Sequence, residues 1–226
     1  MTSRTRVVAA VVAVVMVVAA GASLTGLFRS GDGKPSASPS PSSATPSACA
    51  LLDAKEREAL AGAPVDTVTP IESAGDGAGS GGGAQCRWTS GGRLVQASTL
   101  TAPQWAETVP MAIDRLEKSG ARISADDQRQ IDRSRSLLKS AAGLTEEQAC
   151  SLFSTLAEIG GAPKGSDTLV SYTQLTPKVL AVSAQTCRGG VFTSIVDAGP
   201  QLKQTDQLTK AAGVAVAAAH TRATAP

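Results

Sequence analysis

The residues of this chain with the clearest chemistry are its four cysteines, Cys49, Cys86, Cys150 and Cys187. Cys49 and Cys86 stand 37 positions apart, and so do Cys150 and Cys187. No CxxC is present, whereas thiolate metal sites draw on closely spaced ligand pairs. Disulfide formation is therefore the expected chemistry. Four cysteines allow three pairings. The equal spacing favours Cys49–Cys86 with Cys150–Cys187. The swapped pairing, Cys49–Cys187 with Cys86–Cys150, stays open as in an intertwined fold.

Other candidates carry less. Gly77-Ala78-Gly79-Ser80-Gly81-Gly82 satisfies G-x-G-x-x-G, but it sits inside a glycine-rich run with no strand before it or helix after it. It reads as a connector. There is no G-x-S-x-G nucleophile elbow. His220 is the single histidine, and its place in the last turn of an expected helix suits a cation at the dipole's negative end. Asp126-Asp127 and Glu146-Glu147 are adjacent pairs, which diverge on a helix and read as charge near helix N-termini. Trp88 and Trp105 are expected in the core, since the chain has only six aromatic residues in all, or 3%. No catalytic, cofactor-binding or metal-ligating residue is assigned, and no cofactor is expected. Nucleic acid is excluded as a partner class, because a net charge of +2 supplies no strong basic patch.

The surroundings of the cysteines show what positions them. Ala48-Cys49-Ala50-Leu51-Leu52 parallels Ala149-Cys150-Ser151-Leu152-Phe153. Gly62-Ala63-Pro64 parallels Gly161-Ala162-Pro163. Asp66-Thr67 and Asp167-Thr168 each precede the second cysteine of their pair at equal distance. Ala84-Gln85-Cys86-Arg87 parallels Ala184-Gln185-Thr186-Cys187-Arg188, with one extra residue. The common order points to an internal repeat.

Each copy reads as a helix, three strands and a closing helix. Asp53 and Thr145 are N-cap candidates, with Glu56 and Gln148 three residues on. Strand-like runs fall at 67–71, 85–89 and 93–99, then at 168–173, 179–186 and 191–196. Closing helices are expected at 105–118 and 202–220, with Pro103 and Pro200 in their first turns. A polar connector near 125–140 is expected to touch the core through Ile131, Leu137 and Leu138.

The N-terminus adds location. Arg4 and Arg6 precede an uncharged run at 7–27, long enough to span a bilayer, and the basic flank marks the cytoplasmic side. Ala20-Gly21-Ala22 also offers a cleavage site, so secretion is the alternative to a single-pass anchor. The Pro/Ser-rich stretch at 30–47 lacks large apolar residues and reads as a disordered linker.

The expected fold class is thus α+β: an N-terminal transmembrane helix or signal peptide, then two tandem helix–antiparallel-strands–helix units with one disulfide each. The expected boundaries are 1–29 for the signal or anchor, 30–47 for the linker, 48–119 for the first unit, 120–144 for the connector and 145–222 for the second unit. Whether the units share one sheet is not readable from the sequence.

The pattern Cys49-x-Leu51-Leu52-Asp53, Gly62 and Cys86-x-Trp88 resembles an uncharacterised family of actinobacterial exported or lipoprotein-like cell-envelope proteins, a domain of unknown function with paired cysteines. The resemblance covers the first unit. The second keeps Cys150-Ser151-Leu152 and Cys187 but has Gly189 in the tryptophan's place, and no lipobox cysteine follows the apolar run. The resemblance implies envelope location and fold style, and no activity. The expected function is an extracytoplasmic, non-enzymatic binding or cell-envelope interaction module, its partner an envelope ligand or protein. An envelope hydrolase and a structural or assembly subunit are the alternatives.

Overall fold

The computed structural model describes residues 48–71, 84–118, 125–139 and 141–225. The apolar run at 7–27, the linker at 30–47 and the glycine run around Gly77 lie outside the described residues. Among the described residues, no helix is long and apolar enough to cross a membrane.

A 3-10 turn at Ala48–Ala50 leads into α1 (Ala54–Ala61), and strands β1 (Thr67–Ile71), β2 (Ala84–Ser90) and β3 (Arg93–Thr101) follow. Helices α2 (Ala102–Lys118), α3 (Ala125–Leu138) and α4 (Glu146–Ile159) come next. Strands β4 (Thr168–Thr176), β5 (Val179–Arg188) and β6 (Val191–Gly199) precede α5 (Asp206–Ala223). The fold class is α+β, with an antiparallel sheet and two disulfides. Local chemistry explains most boundaries. Asp53 and Glu56 form a reciprocal capping box at α1, and Thr145 and Gln148 form one at α4. Gly91-Gly92 and Gly189-Gly190 close the β2–β3 and β5–β6 hairpins with positive φ at each residue, as a tight two-residue turn requires.

Two expectations need correction. The last helix begins at Asp206 rather than near Leu202, because Thr205 supplies an N-cap that accepts from the Leu208 amide at 3.1 Å. Pro200 therefore lies in the turn after β6 rather than in a helix. In α3, Ile131 and Leu138 enter the core, but Leu137 stays exposed. The residue next to Leu138 points about 100° away around a helix, off the buried stripe.

All six strands form one sheet, in the order β1-β2-β3-β6-β5-β4. The two halves meet where β3 pairs antiparallel with β6, from Leu94↔Ala198 to Thr101↔Val191. The registers sort the side chains onto two faces. Cys86, Ala97, Ile195, Ala184 and Val170 are cross-strand neighbours on one face. There α1, α5 and the 3-10 turn cover them, with Leu51, Leu60, Ala212 and Val216 in the same cluster. We call this the α5 face. Cys187, Phe192 and Leu100 are neighbours on the opposite, α4 face, where α2 and α4 pack. Trp105, Phe153 and Phe192 meet there, with ring centroids 5.1–5.7 Å apart.

Both halves have the same element order, but they do not use the same faces. The first half sets its opening helix on the α5 face and its closing helix on the α4 face. The second half does the reverse. Thr186 gives the reason. Ala84 and Ala184 both lie on the α5 face, and so does Cys86. The extra residue after Gln185 moves Cys187 to the α4 face, since side chains alternate along a strand.

The disulfides are Cys49–Cys86 and Cys150–Cys187, and no described cysteine is free. One staples a segment onto the α5 face and the other staples α4 onto the α4 face. Each closes a loop that constrains the unfolded chain by about 3–4 kcal/mol in the chain-entropy model.

A polar contact ties the halves together as well. Arg93 at the start of β3 donates through Nε to Asp197 Oδ1 on β6 at 3.0 Å, and its Nη2 also contacts Asp197. The same guanidinium donates to the carbonyls of Leu60 and Ala61 at the C-terminus of α1, where a cation is favoured. Asp197 is fully buried. Burial raises its pKa and Arg93 works against that rise. Replacing Asp197 with alanine leaves a mostly buried guanidinium without its partner, which costs about 3–5 kcal/mol. The double variant Arg93→Met/Asp197→Leu is expected to recover much of that loss. Chemical denaturation checks both, and a cost below about 1 kcal/mol for Asp197→Ala would mean the pair behaves as an exposed one.

Candidate binding face

The α5 face is apolar apart from the Arg93–Asp197 pair and the threonine row of Thr99, Thr193 and Thr186. The α4 face is not. Beyond the row holding Leu100, Phe192 and Cys187, its next row runs Gln85–Ser98–Ser194–Gln185, from β2 through β3 and β6 to β5. The row after that runs Arg87–Gln96–Val196–Ser183–Ser171, reaching β4. Sequence alternation alone sends these polar residues to solvent. In the fold, Gln96, Ser98, Ser171, Ser183, Gln185 and Ser194 are all buried. Val196 of that row and the apolar residues beyond it, Val179, Ala181 and Ala198, cluster with Leu175 and with no described helix residue.

Parts of this polar band are paired. Ser98 and Ser194 hydroxyls lie 2.8 Å apart across the seam between the halves. Gln185 Nε2 donates to Ser183 Oγ at 2.7 Å. Arg87 Nη2 donates to Gln96 Oε1 at 3.2 Å, and Gln96 Nε2 reaches Gln85 Oε1 at 3.5 Å. Three atoms of the band are buried without a partner: Arg87 Nε, Ser171 Oγ and Gln185 Oε1. Exchanging the two ends of the Gln185 carboxamide does not remove its orphan, because Ser183 engages only one end. Each unpaired buried polar group costs about 1–3 kcal/mol. The remaining orphans are the indole nitrogens of Trp88 and Trp105, both in apolar clusters.

Arg87 is the charged member. Its neighbours across the sheet are Thr69 and Gln96, and along its strand on the same face they are Gln85 and Thr89. None is acidic, and no acidic side chain among the described residues pairs with it. Burial lowers its pKa from the ordinary arginine value, with no carboxylate acting in the other direction.

The residues singled out from sequence fall elsewhere. All four cysteines are in disulfides. Glu146 and Glu147 occupy the first turn of α4. Trp88 and Trp105 are fully buried, as expected of core residues. Asp126 and Asp127 lie in the first turn of α3. Among the described residues, no group of His, Cys, Asp or Glu is arranged to hold a metal ion.

His220 departs from its dipole reading. It lies in the last turn of α5 but is buried, with Nδ1 3.0 Å from Thr193 Oγ1 on the α5 face. Burial lowers its pKa, the Arg188 guanidinium lowers it further, and Asp167 opposes both. The folded chain therefore holds this imidazole neutral. Above about pH 6.5 both folded and unfolded states are uncharged there. Below it, the unfolded chain takes up a proton that the folded chain resists, so stability falls as pH drops. Thermal denaturation between pH 7.5 and 5 should show this loss, capped at about 1.4 kcal/mol per pH unit for one group. His220→Gln should flatten this component; an unchanged pH slope in that variant would refute the assignment.

Comparison with protein-family models and with curated proteins finds no match for this chain.

Proposed function

We propose that this protein is a non-enzymatic binding module working outside the cytoplasm, held at the membrane by the apolar run at 7–27 or released by cleavage near Ala22. The binding reading is carried by the buried, unpaired polar atoms of the α4 face. A chain that retains Arg87 Nε, Ser171 Oγ and Gln185 Oε1 without partners keeps a cost in the folded state. A ligand that supplies those partners recovers it. The location reading is supported by the pairing of every described cysteine, because disulfides persist in oxidising compartments. The basic flank of residues 7–27 supports it independently. We read the two halves as copies of one unit, the second re-faced by the Thr186 insertion, so the ligand face belongs to both.

An enzyme reading draws little support from the geometry. The single histidine is engaged with Thr193 on the face opposite the polar band. The partner class is an envelope ligand or protein rather than nucleic acid, given the net charge of +2.

The test is thermal denaturation of the full chain against envelope components: glycan strands, peptides of either charge and anionic lipid. At least one class should raise the melting temperature without being converted. Ligand at a hundred times its Kd adds about 2.7 kcal/mol of stability. No response from any class would count against a binding module, and turnover of one would favour the hydrolase alternative.

A further inference from the structure

We draw no further inference here: the strongest candidate, the polar band of the α4 face with its unpaired Ser171 and Gln185 oxygens, is itself buried, and nothing in the structure shows what covers it.

Discussion

The antiparallel pairing of β3 with β6 is the contact on which the rest of the molecule depends. It runs from Leu94↔Ala198 to Thr101↔Val191 and is the seam that makes one sheet from two halves. Without it each half is a three-stranded meander with an open edge, and small Ala/Val/Leu residues bury little area to offset ordering entropy. The seam also aligns Ser98 with Ser194 and brings Arg93 to Asp197. Every shared feature of the two faces, apolar or polar, follows from that register.

The disulfides reinforce the sheet from opposite sides. Cys49–Cys86 fastens the chain's first described turn onto the α5 face, and Cys150–Cys187 fastens α4 onto the other. Neither links the halves covalently. Cross-half cohesion comes instead from the seam, from the α5 helix spanning both halves, and from Arg222. That residue reaches from α5 to Glu56 on α1, donating at 2.6 and 3.0 Å, and to the Leu51 carbonyl at 2.9 Å. The exposed part of this network adds little on its own. Its value is in fixing where the last helix ends relative to the first.

Much of the local structure was legible in the sequence, for physical reasons. The Asp53–Glu56 and Thr145–Gln148 boxes depend on residues three apart, and periodicity marked all six strands to within a few residues. The equal cysteine spacing pointed to the observed pairing. Face assignment was less accessible, because it turns on parity. A single residue, Thr186, reverses the direction of Cys187 and with it the side on which the second opening helix packs. The polar band was hidden for a related reason. Gln96, Ser98 and Ser194 alternate with apolar residues as a solvated strand face does. Only the order of strands across the sheet brings them beside Gln85, Arg87 and Gln185. The Gly-Gly turns at 91–92 and 189–190 were a usable signal, since they set the hairpin registers that build those rows.

The central claim is that the two halves form one cooperative sheet with a shared polar face, rather than two independent units. Native-state hydrogen exchange in rising denaturant tests it most directly. The account predicts that backbone amides flanking Ala97 on β3 and Ile195 on β6 open together, with the same free energy and the same denaturant dependence. Loss of protection across β1–β3 while β4–β6 stays protected, or the reverse, would contradict it.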